Sequence, residues 1–128
     1  MSAAGLLAVG IGAALGAWLR WALAILLNPV LPTLPLGTLA ANIVGGYLVG
    51  IAVEYFTQHL GMAPELRLFV ITGFLGGLTT FSTFSAEAVA MLARNQYAWA
   101  VALIGSHLAG SIVATILGIL TVKALTQA

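Results

Sequence analysis

Cysteine is absent from the chain, which excludes a disulfide framework, a thiolate metal site and thiol redox chemistry. Charge is almost as scarce: four Lys and Arg and three Asp and Glu among 128 residues. A soluble domain carries about 25% charged residues, and seven charges cannot clothe a globule of this length. A soluble enzyme, a nucleic-acid binder and a disordered segment are thereby excluded. The formal net charge of +1 leaves no basic patch for a polyanion. Histidine occurs only at His59 and His107, far apart in the sequence and without the spacing of a ligand cluster.

What fills the chain is apolar: 62% of its residues are hydrophobic. A bilayer core about 30 Å thick needs about 20 such residues per helix. Four stretches qualify: Leu6 to Leu27, Gly37 to Phe56, Leu66 to Ala93 and Tyr97 to Leu125. Asn28, Pro29, Pro32 and Pro35 separate the first two, because proline lacks the N–H that continues a helix. Gln58 to Pro64 separates the second and third, and Arg94-Asn95-Gln96 makes the last turn. The spans use most of the chain, so the expectation is one all-α, multi-pass membrane domain over 1–128, without an extramembrane domain. The N-terminus lacks a basic leader and its apolar stretch is long, so it reads as a retained helix and not a cleaved signal. Strand-like alternation is missing, which favours helices over a barrel. Aromatic residues near the span ends (Trp18, Trp21, Tyr55, Phe56, Tyr97 and Trp99) suit an interfacial belt.

Small residues recur four apart: Gly12 and Gly16, Gly46 and Gly50, then Gly110, Ala114 and Gly118. Such stripes let helix backbones approach closely. Their number exceeds what one small bundle needs, so a homo-oligomer is expected. Orientation is nearly unsigned. Arg67 and Lys123 fall on one side of the membrane, and Arg20 and Arg94 fall on or near the other. The tie is compatible with insertion both ways round, although so few charges tie easily by chance.

Polar groups at membrane depth are costly and mark pathways or sites by default. The third span contains Gly76-Gly77-Leu78-Thr79-Thr80-Phe81-Ser82-Thr83-Phe84-Ser85. A glycine pair followed by a run of N-cap-forming hydroxyl residues predicts a helix broken near its middle. Backbone of that kind is tolerated at depth only where it lines a cavity or a site. Phe81 and Phe84 are three apart and share a face, and the positive edges of their rings could hold a small anion. Asn42 can make an interhelical hydrogen bond or donate to a pore. His107, Ser111 and Thr115 form one polar stripe on the fourth span and suggest a hydrated track. Arg20 either snorkels to the interface or raises the anion concentration at a pore mouth. Glu54 lies near an interface. Glu87 lies beyond the expected break, solvated or paired with a base.

The string from Gly76 to Ser85 resembles the central motif of the Fluc, or CrcB, family of fluoride channels. Gly12, Gly16 and Arg20-Trp21 are similar to that family's first helix, Gly37-Thr38 and Asn42 to its second, and Gly110-Ser111 to its fourth. The resemblance covers nearly the whole chain. It implies an antiparallel homodimer of dual topology, with two fluoride pathways and no enzymatic activity. It implies a structural sodium ion at the dimer centre, held by backbone carbonyls that fall here on Gly76 and Thr79. It places the fluoride pathway at Asn42, Phe81, Phe84 and Ser111, with His107 one turn before Ser111 where some relatives carry a hydroxyl. Thr38 and Ser82 fall on the vestibule, and Thr83 and Arg20 on further matched pathway positions. The expected work is passive export of cytoplasmic fluoride across the inner (plasma) membrane.

Other readings make distinct demands. A small proton-coupled multidrug exporter needs a carboxylate in its first span, where this chain has Arg20. A structural subunit of a membrane complex would explain the glycines but not the hydroxyl-rich break. An intramembrane hydrolase lacks a visible Ser/His/Asp set or metal cluster.

Overall fold

Apolar length and proline punctuation dictate the elements. The computed structural model describes residues 1–127. Helix α1 is Ala3–Leu27, capped by the Ser2 hydroxyl on the Gly5 N–H at 3.0 Å. A 3-10 turn, Asn28–Val30, leads to α2, Leu36–Gln58. Pro35 cannot cap α2 with a side chain. Asn28 does so from a distance, its Oδ1 accepting from the N–H of Gly37 at 2.7 Å and of Thr38 at 3.3 Å. Helix α3 occupies 64–78 and starts with Pro64 in its first turn, where a missing N–H costs nothing. Its middle, Leu68–Leu75, is π-helical, and Gly76–Leu78 return to α geometry. Helix α4 is Phe81–Ala93 and α5 is Tyr97–Thr126. Asn95 turns between them at φ 58°, a left-handed conformation that asparagine tolerates. Grouped as membrane spans the helices cover Ala3–Val30, Leu36–Gln58, Pro64–Ala93 and Tyr97–Thr126, each long and apolar enough to cross. The protein is a multi-pass membrane protein.

The third span is broken, but not at its glycines. Gly76 keeps helical angles (φ −63°, ψ −37°), and the chain leaves the helix at Thr79 (φ −86°, ψ 155°) and Thr80 (φ −151°, ψ 122°). The glycine next to Gly76 serves packing instead: a Cβ on Gly77 would strike the Ala13 carbonyl.

Two close-packed seams hold the bundle together. In one, Gly12 and Gly16 of α1 meet the backbone of α3 around Phe69, Phe74 and Leu78, while Gly73 and Gly77 of α3 meet that of α1. In the other, Gly46 and Gly50 of α2 face Ser111 and Thr115, and Gly118 of α5 faces Tyr47 and Ile51. Lipid is as apolar as leucine, so close backbone contact replaces a hydrophobic core as the main attraction. The buried apolar clusters are small, one around Phe56, Leu75 and Leu78, the other around Phe84, Met91 and Leu103. The glycine stripes thus find partners inside one protomer.

Candidate functional site

A chain that leaves a helix within a membrane must find new partners for its N–H and C=O groups. Asn42 provides them. Its Oδ1 accepts the Thr80 N–H at 2.8 Å and its Nδ2 donates to the Thr80 carbonyl at 2.9 Å. The amide pairs with both sides of Thr80 as a neighbouring strand would. Thr80 in turn caps α4, its Oγ1 accepting the Thr83 N–H at 3.1 Å.

These bonds release two carbonyls. In an unbroken helix the Thr80 N–H would go to Gly76 and the Thr83 N–H to Thr79. They go to Asn42 Oδ1 and Thr80 Oγ1 instead, so the Gly76 and Thr79 oxygens lose those amides. The Gly77 carbonyl between them is taken by Arg20, whose Nε donates to it at 3.1 Å. Arg20 therefore braces the end of α3 through its Nε. Gly76 is exposed on the protomer and Thr79 half-buried. Two neutral carbonyls suit a hard monovalent cation. Within this chain these two oxygens are too few to surround such an ion. Among the described residues no group of three His, Cys, Asp or Glu offers an alternative metal site.

Beside the break lies a cleft of about 250 Å³, lined by Asn42, Thr79, Thr80, Phe81, Phe84, His107 and Ser111, with Gly46 and Leu108 completing the wall. The two phenyl rings meet edge to face at 5.5 Å, yet they differ in setting. Phe84 is 6% exposed and stacks on the His107 ring at 4.6 Å, whereas Phe81 is 74% exposed on the protomer's flank. His107 is buried, and its Nδ1 lies 3.0 Å from Asn42 Nδ2.

The polar stripe on α5 is less open than its spacing suggests. Ser111 Oγ donates back to the His107 carbonyl, and Thr115 Oγ1 bonds to the carbonyls of Ser111 and Gly46, both at 2.9 Å. Thr115 belongs to the α2–α5 seam and does not line the cleft. Thr38 is buried one turn before Asn42 and donates to Glu87 Oε2 at 2.6 Å. A hydroxyl, not a base, thus meets that carboxyl, whose Oε1 is buried without a partner. Ser82 is exposed, 3.3 Å from Thr80 Oγ1, and Thr83 contributes its N–H to the cap. The structure brings Asn42, Phe81, Phe84, His107 and Ser111 around one cleft. It sets Thr38, Ser82, Thr83 and Arg20 outside that wall. The sequence reading passed over Thr80 as a lining residue, although a threonine three before another backbone donor in a hydroxyl run is an N-cap signal. The Thr38–Glu87 contact spans 49 residues and has no local signature.

Comparison with known proteins gives a consistent set of relatives. A family described as "CrcB-like protein, Camphor Resistance (CrcB)" matches residues 7–119. A protein of Nitrosospira multiformis named "Fluoride-specific ion channel FluC" is 67% identical over 122 residues, 95% of this chain and 95% of its own. Proteins of the same name from Ralstonia pickettii and Dechloromonas aromatica are 64% and 59% identical over 123 and 124 residues. These alignments cover 96% and 97% of this chain, and 98% and 92% of the relatives.

Proposed function

The chain belongs to the CrcB family, and from that premise we propose that it is a fluoride-selective passive channel that lets cytoplasmic fluoride leave the cell. The observation that carries this reading is the break at Thr79–Thr80, clamped by Asn42 and opening on a cleft lined by phenyl edges, hydroxyls and a buried histidine. Fluoride is small and strongly hydrated, so a pathway must replace its water with donors and positive ring edges in a passage too narrow for chloride. Phe81 and Phe84 supply the ring edges and His107 a donor, Asn42 and Ser111 complete the wall, and Thr38, Ser82 and Thr83 lie beyond it towards the vestibule.

The functional unit is an antiparallel homodimer with two pathways. The exposed Phe81 and the amide-free carbonyls of Gly76 and Thr79 support it, because polar backbone on a lipid-facing flank requires cover. A second copy, inverted, places its own cleft and carbonyls against the first, in keeping with the tied charge count. Gly76 and Thr79 of both copies would then hold a sodium ion through neutral oxygens. Its charge would join the protomers and favour an anion nearby.

The experiment is flux from proteoliposomes loaded with fluoride. Release should be rapid once an ionophore relieves the voltage, and chloride should stay inside. Slow, saturable exchange coupled to protons would point to a carrier, and no flux to a structural subunit. Either result would overturn the proposal.

A further inference from the structure

The cleft contains several polar groups, and their hydrogens are almost all engaged. Thr79 Oγ1 donates to the Leu75 carbonyl at 2.8 Å, and Ser111 Oγ donates to the His107 carbonyl. Asn42 uses both amide hydrogens, one on the Thr80 carbonyl and one on His107 Nδ1. Among the described residues, the one buried side-chain nitrogen without a partner is Nε2 of His107, on a ring 3% exposed.

The orientation of the Asn42 amide follows from the Thr80 peptide. The Thr80 N–H must meet an oxygen and the Thr80 carbonyl must meet a donor, so Oδ1 and Nδ2 have only one arrangement. Nδ2 then presents its second hydrogen to His107 Nδ1. A ring nitrogen that accepts a hydrogen bond carries no hydrogen itself, so neutral His107 holds its hydrogen on Nε2.

We infer that Asn42 is a positioning residue that locks the His107 tautomer, so that the His107 Nε2–H is the donor offered to the passing anion and Asn42 gives it none. This rests on the channel reading above. The Phe84 ring, stacked on the imidazole at 27°, fixes the ring plane. A buried N–H without an acceptor is unfavourable to maintain, and a lone neutral donor is suited to an ion that must bind and then leave. Selection of one tautomer thus joins the helix break to the pathway: the amide that clamps Thr80 also aims the donor.

The test combines spectroscopy with flux. Protein labelled with 15N-histidine, in a His59→Gln background that leaves one ring, is examined by ring 15N NMR in liposomes. The hydrogen should reside on Nε2, and fluoride, but not chloride, should move the Nε2 signal while Nδ1 stays. A hydrogen on Nδ1, or no response to fluoride, overturns the inference. In flux, His107→Gln keeps an amide donor near the Nε2 position and should retain the wild-type rate within about threefold, while His107→Leu should lose at least about tenfold. Equal losses in two variants that assemble as the wild type does would mark a packing role and overturn the lock. A wild-type protein that passes no fluoride overturns the channel reading itself. A conducting wild type with the wrong tautomer overturns only the lock.

Discussion

The two glycine seams and the broken third span are built on opposite terms. Along the seams, backbone lies on backbone, and each glycine is matched by a carbonyl or amide of the facing helix. At the break, side chains stand in for backbone partners, and an exposed phenyl ring and two carbonyls are left on the flank. The seams are complete within one chain. The break is complete only in part, because Asn42 satisfies Thr80 while nothing in the same protomer covers Phe81. A small membrane protein can keep so unfinished a region because its rigid seams do not depend on it.

The seams should be the less forgiving of the two. In Gly16→Val the new side chain is driven into the Phe74 carbonyl, and in Gly50→Val into that of Thr115, neither of which can move without parting two helices. Each variant should lose more than about 3 kcal/mol, at or beyond the upper end of overpacking costs, seen as loss of monodisperse protein on size exclusion. Gly10→Val and Gly105→Val, with open space around the added Cβ, should elute as the wild type does. Equal tolerance at Gly16 and Gly10 would remove the distinction between seam and surface.

Asn42→Leu attacks the break itself. It strands the Thr80 N–H and carbonyl, each of which costs about 1–3 kcal/mol when buried and unpaired. The protein should fold with a lowered midpoint in thermal denaturation, and fluoride flux should fall at least about tenfold because the helix ends no longer hold their spacing. Normal flux would show that the clamp is dispensable.

The two phenyl rings then divide stability from conduction. Phe81 is exposed on the protomer and Phe84 lies in its core, so Phe84→Ile should lower thermal stability by about 1 kcal/mol, whereas Phe81→Ile should leave it unchanged. Both should reduce flux while the protein elutes as the wild type does on size exclusion. Unchanged flux in both would refute their place on the pathway.

What could be read from the sequence was whatever physics writes locally. Apolar length fixed the four spans to within a few residues, and Asn28 with Pro29, Pro32 and Pro35 marked the first connection. The hydroxyl run announced a break, and the chain opens within it at Thr79 and Thr80, while Gly77 serves the α1 seam. Glycine spacing showed that backbones would approach, not which ones. The clamp joins residues 38 apart, and no periodicity encodes such a pair. The stripe of His107, Ser111 and Thr115 was visible as a stripe. Its hydroxyl hydrogens turn back to carbonyls one turn earlier, a local bond that spacing alone does not announce. The π-helical stretch from Leu68 to Leu75 carried no sequence mark that we recognise.

The smallest effect is expected where the two regions meet. Asn28 caps the start of α2 from outside the helix, and the second amide it holds belongs to Thr38, whose hydroxyl reaches Glu87. Asn28→Ala should cost about 1 kcal/mol, as the loss of a side-chain cap does elsewhere, read as a small drop in the thermal midpoint. Asn42 lies one turn further along α2, and its own bonds to Thr80 do not pass through Asn28. Flux should therefore stay within about twofold, since half a kcal/mol at the pathway already exceeds that. A large fall in flux with so mild a loss of stability would mean that the break is tuned from the first connection, and that its independence from the rest of the bundle is less complete than the geometry of the clamp suggests.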